Sequence, residues 1–119
     1  MTLAQPAVTL TDYGLAFECA MLALLLHRLP GPATGFRNWF IVFFYALGFA
    51  AFAGGTSHGF IHEKTSLLHT VVWNATLIAI GVVGLAAWMI GVRLVSSHAV
   101  RRGVTGAAVT FFGMYCAVV

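Results

Sequence analysis

Glu18 stands inside a run of apolar residues, Tyr13 to Leu29, in the stretch YGLAFECAMLALLLHRL. An ionised carboxylate in such a setting needs a partner, a water-filled cavity or a proton. A second group of reactive side chains lies in Gly54-Gly55-Thr56-Ser57-His58-Gly59-Phe60-Ile61-His62-Glu63. His58 and His62 are four residues apart and share a face on a helix. Gly48, Ala51, Gly55 and Gly59 fall on about the same face, and Gly55 with Gly59 has the spacing that lets two helix backbones approach closely. This reads as a packing seam that opens into a polar pocket. His69 forms a third candidate, with Asn74 deeper in the same segment. Five residues place those two about 140° apart, so they do not share a face.

Three chemistries fit these residue types. His58, His62 and His69 with Glu18 and Glu63 offer the nitrogen and oxygen donors that zinc takes in tetrahedral array. A His/Glu/Ser group would also serve proton transfer, and in a zinc hydrolase Glu18 would act as acid/base while Ser57 positions the substrate. A single imidazole, His58 or His69, on a glycine-lined face would ligate haem iron or the magnesium of a chlorophyll-type pigment. Each has a structural alternative: Glu63 in a solvated loop, His69 bonded to a neighbouring helix, Glu18 and His58 as a buried pair. The sequence holds no P-loop, GxGxxG, HExxH or nucleophile elbow, and His62-Glu63 lacks the second histidine a zincin helix needs. Cys19 and Cys116 each lie within apolar segments, where a thiol acts as a small hydrophobe, and no CxxC pair is present.

The elements that position these residues follow from composition. Hydrophobic residues make up 61% of the chain and charged residues 8%, whereas soluble domains are nearer half apolar and about a quarter charged. The fitting solvent is a bilayer, whose hydrocarbon core needs roughly 20 apolar residues per helix. The expected fold is an all-α transmembrane helical bundle in a single domain over residues 1–119, with spans at about 12–29, 38–61, 67–95 and 103–119. Thr11 and Asp12 offer an N-cap for the first. Pro30, Gly31, Pro32 and Gly35 end it in a tight loop, and Ser66 offers an N-cap for the third. Trp39, Trp73 and Trp88 suit interfacial anchors. The fourth apolar run reaches Val119 without a polar exit, the pattern of a sequence truncated at its C-terminus.

Charge gives the orientation. Four antiparallel spans put Arg28, Arg37, Arg93, Arg101 and Arg102 at one end, and Lys64 with all three acids toward the other. The positive-inside rule places the arginine-rich loops in the cytoplasm and the N-terminus outside, the arrangement of a bacterial inner-membrane protein. Six Lys and Arg in all are explained by this placement and argue against a nucleic-acid partner. Glu18, Ser57, His58, His62, Glu63 and His69 then fall toward the outer end, while His27 and His98 join the arginines. Conduction through Glu18 would need a polar path to the far end, and Leu22–Leu26 with Phe40–Phe44 is apolar.

Around Gly54 to Phe60 the sequence resembles the seven-helix hydrolase superfamily of alkaline ceramidases and progestin/adiponectin-receptor proteins. The resemblance implies a zinc-dependent intramembrane hydrolase, with Ser57 and His58 at the positions of the family's serine and histidine and Glu18 for its first-helix acid. Ser57 and His58 are adjacent here, whereas the family separates them by about a turn, and its late HxxxH pair would have to lie beyond Val119. The sequence also looks like the small bacterial multi-pass membrane proteins of unknown function. Small size, glycine-rich helices and an incomplete catalytic set favour an accessory or scaffold subunit, packed against other transmembrane subunits and lipid. Metal-dependent intramembrane hydrolysis at a periplasm-facing His/Glu site is the alternative.

Overall fold

Pro6 occupies the first turn of the first helix, where its fixed φ suits the helix and its missing N–H costs nothing. That helix, α1 (Pro6–Arg28), is the first of four in the computed structural model, followed by α2 (Gly35–Phe60), α3 (Leu67–Val92) and α4 (His98–Val118). The structure describes residues 5–119 other than 33, 62, 64 and 96. The fold is all-α, and the α1, α2 and α3 helices are long and apolar enough to cross a membrane.

The connections obey local rules. The α1–α2 loop turns at Gly31, whose φ of +99° is a conformation that other residues rarely adopt. Arg37 ties the loop down, donating from Nη1 to the Leu29 carbonyl at 3.0 Å and from Nη2 to the Gly31 carbonyl at 3.2 Å. Thr34 caps α2 by accepting from the Arg37 amide, and Ser66 caps α3 by accepting from the His69 amide, as the sequence suggests. The expected cap at Thr11–Asp12 does not form. Because α1 starts at Pro6, Thr11 is already helical and its hydroxyl donates to the carbonyls of Ala7 and Val8. The fourth helix forms too. The α4 helix opens on His98, Arg101 and Arg102 and is not one of the three helices long and apolar enough to cross a membrane.

The helices pack in chain order. Among the described residues α1 contacts α2, α2 contacts α3 and α3 contacts α4, with no contact between non-consecutive helices. The result is a flattened molecule, 54 × 36 × 18 Å. The core is correspondingly thin: among the described residues the buried apolar ones are mostly alanines, with no large side chain fully enclosed. Small residues therefore set the packing distance, as they do where lipid removes the hydrophobic drive between helices.

The α1–α2 seam shows how. A Cβ placed on Gly48 would lie 3.1 Å from the Cys19 Cβ, and one on Gly55 would lie 2.8 Å from the Asp12 Cβ. Gly48 and Gly55 are seven apart, as are Cys19 and Asp12, so the two helices meet at a repeating interval. On the neighbouring face of α2, Gly54 approaches the Thr76 methyl of α3. Gly81 in turn makes room for the rings of Tyr115 and Phe112 from α4, and the Tyr115 hydroxyl donates to the Leu77 carbonyl at 2.8 Å.

These contacts make opposite predictions for two glycines. Gly55→Ala forces a methyl into the Asp12 Cβ, so it should destabilise by about 1–3 kcal/mol through overpacking. Gly84, with open space at its Cβ position, should gain about 0.5–1 kcal/mol on change to Ala, as helical glycines do. Thermal unfolding of both variants in one detergent reads the sign of each.

Candidate functional site

The reactive side chains separate into three places. At the histidine end, α2 and α3 bring His58 and His69 to the same indole. The His58 ring meets Trp73 edge-on with centroids 5.9 Å apart, and the His69 ring stacks on Trp73 at 6.1 Å with planes 11° apart. Two imidazoles that come from separate helices are thus joined through an aromatic ring. Ser57, next to His58, is buried at 4% exposure, and Glu63 is exposed in the loop. His62, expected to complete a metal set, lies outside the described residues. Among the described residues no three His, Cys, Asp or Glu side chains come close enough together to hold a metal ion.

Asp12 occupies the second place. Six residues into α1, about 9 Å along its axis, it is half-buried, with its Cβ against Gly55 and its Oδ2 3.9 Å from the position of a Gly54 Cβ. It has no hydrogen bond or ion pair among the described residues. One residue on, Tyr13 lies over Phe52 and Phe60 at 5.5 and 6.5 Å, and its hydroxyl is 3.0 Å from Thr56 Oγ1. Thr56 gives its own proton to the Phe52 carbonyl at 2.8 Å, so Tyr13 is the donor in that pair. The sequence pattern hides this group, because Thr11–Asp12 ahead of an apolar run has the form of a cap outside the helix.

Glu18 is the third place, and it stands apart from the other two. It lies twelve residues into α1, about 18 Å from the start and near mid-span, deeper than a helix starting at Asp12 would place it. The seam side of α1 is marked by Cys19 at 2% and Ala23 at 0% exposure. Five residues from Ala23 is about 140° round the helix, and Glu18 is exposed there. Glu18 has no hydrogen bond or ion pair among the described residues. The structure therefore does not bring Glu18 together with His58 and His69. Gly14, one turn before Glu18, likewise meets nothing within 4 Å at its Cβ position.

The remaining candidates sort by end. His27 packs its ring on Tyr45 at 5.7 Å, and His98 begins α4 beside the arginines. Asn74 is half-buried in α3. Between α3 and α4, Trp88, Phe111 and Phe112 wall an apolar groove of about 490 Å³ that opens onto the surface.

With this geometry in place, comparison with known proteins gives a family match. A family of unknown function, DUF6962, covers residues 7–119. The chain belongs to this family. The match takes in all four helices and with them Asp12, Glu18, His58, His69 and the arginine end. No curated protein and no solved structure matches the chain. Family membership agrees with the likeness to multi-pass proteins of unknown function and attaches no chemistry to any of these residues.

The Asp12 group carries its own prediction. A carboxylate without a hydrogen-bonding partner at a helix seam costs stability, so the isosteric Asp12→Asn should raise the melting temperature. Tyr13→Phe should lower stability by about 0.5–1.5 kcal/mol, the net worth of one hydrogen bond. Thermal melts of the two single variants in the same detergent check both signs.

Proposed function

We propose that the chain is an accessory or scaffold subunit of a larger bacterial inner-membrane complex, held there by the open face of α1. Glu18 carries the reading. A carboxylate half-way through an apolar helix, pointing away from the protein's own seam, cannot be satisfied by lipid. A neighbouring transmembrane helix with a cationic or hydrogen-bond-donating group satisfies it. Gly14, one turn away on the same open face, would let that helix approach closely, the pairing of small residue and polar residue by which membrane helices associate.

The packing order supports the same role. Because among the described residues each helix touches only its chain neighbours, Leu10, Phe17, Phe49, Phe52, Trp88 and Phe111 are left exposed along the sides, a large lateral surface around a thin interior. A second copy of this chain is the poorer partner for α1, since it would set two Glu18 carboxylates against each other. In this reading the arginine end faces the cytoplasm and the histidine end the periplasm, following the positive-inside rule.

Affinity purification of the tagged chain from its native membrane in mild detergent tests the proposal. Stoichiometric membrane partners should co-elute with the wild type, fall at least tenfold with Glu18→Leu, and fall less with Glu18→Gln, which keeps a hydrogen-bonding group. A particle containing this protein alone, unchanged by Glu18→Leu, overturns it.

A further inference from the structure

At the opposite end from His58 and His69, the start of α4 and the end of α3 flank an open groove of about 480 Å³ that Trp39 of α2 also lines. Four basic side chains line it: Arg93, His98, Arg101 and Arg102. None of the four has a hydrogen bond or ion pair among the described residues. No acid is available to them there, since Asp12 and Glu63 lie at the other end and Glu18 near mid-span.

The local helix electrostatics sharpen this. Two arginines and a histidine stand within the first five residues of α4, where the helix dipole and the unsatisfied backbone amides already concentrate positive charge. Cations there repel the helix terminus, and a helix N-terminus is ordinarily matched with acids or an anion. Here the first turn has no acidic residue, and Ser97 makes no side-chain cap. The basic side chains at this helix start therefore line one groove with nothing negative in it from the protein itself.

We propose that this groove binds the phosphate of an anionic lipid headgroup. Its position decides for lipid over a free ion. Val92 and Met89 at the end of an apolar span line it, as does Trp39 near the start of another. That is headgroup depth, with acyl chains running along the α3–α4 surface below. Thr105 contributes a hydroxyl to the same groove. A basic pocket between transmembrane helices is the setting in which membrane proteins hold anionic headgroups. This inference rests on the arginine end alone and is independent of Glu18.

The test uses the full chain in a neutral detergent, titrated with phosphatidylglycerol, with phosphatidylcholine, or with inorganic phosphate, and followed by thermal shift and native mass spectrometry. Phosphatidylglycerol should raise the melting temperature and remain bound, with phosphatidylcholine and free phosphate well behind. The Arg101→Gln/Arg102→Gln pair should weaken phosphatidylglycerol binding about thirtyfold, while the Arg101→Lys/Arg102→Lys pair, which keeps the charge and controls for folding, should retain most of it. Equal stabilisation by phosphatidylcholine, or no loss in the Gln pair, overturns the site. An inorganic phosphate effect matching that of the lipid overturns the assignment to a headgroup.

Discussion

The close approach of α1 to α2 at Gly48 and Gly55 is the constraint on which the rest of the structure depends. Two backbones come within a methyl group of each other at positions seven residues apart on each helix, which fixes the register of the pair. Register decides which α1 side chains enter the seam and which are turned out. Asp12, Cys19 and Ala23 go in, and Glu18 goes out. The two carboxylates of one helix are thereby given opposite environments, one against glycine and one against whatever lies outside the protein. In a bilayer the large apolar side chains gain little by meeting each other, so a fold with alanine and glycine cores and phenylalanines on its sides is the expected economy of such a chain.

Serial packing then separates the functional ends. The α2 and α3 helices meet through small residues at Gly54 and Thr76, and His58 and His69 both contact the Trp73 indole. The α3–α4 contact is looser and is held by Tyr115 lying on Gly81 and bonding to the Leu77 carbonyl. At the other end the same helices spread round a groove of unopposed arginines. The chain thus presents an aromatic–imidazole group at one end, a basic groove at the other and a lone carboxylate between them. These belong to three surfaces, and a single catalytic centre built from all of them is not what the described residues form.

Much of this was legible in the residues. The apolar runs, the Pro30–Gly31–Pro32 break, the Ser66 cap and the separation of charges all follow from composition and spacing, and the glycine stripe of α2 was visible as a packing seam. What sequence could not supply was the azimuth of Glu18. A carboxylate in an apolar run reads equally as inward or outward until the register with α2 is known. Asp12 was obscured by a good local rule: Thr-Asp before an apolar run is a cap signature, yet Pro6 starts the helix one and a half turns earlier and converts both residues to helix interior. Trp73 was hidden likewise, because a tryptophan near a span end matches an interfacial anchor, and only the pairing of α2 with α3 shows it in contact with two histidines. The fourth helix forms where the last apolar run lies, with the arginines and glycines of its first half setting it apart from the three more apolar helices.

The central claim is that the outer face of α1 around Glu18 is covered by another membrane protein. Photo-crosslinking in the native membrane tests it most directly, with a photoreactive amino acid placed at Leu15 or Leu22 on that face and, as reference, at Trp88 on the far side of the molecule. The account predicts that Leu15 and Leu22 both capture the same second protein, in high yield and dependent on Glu18, while Trp88 does not capture it. Labelling of lipid alone from Leu15 and Leu22, or capture that persists unchanged in Glu18→Leu, would contradict it.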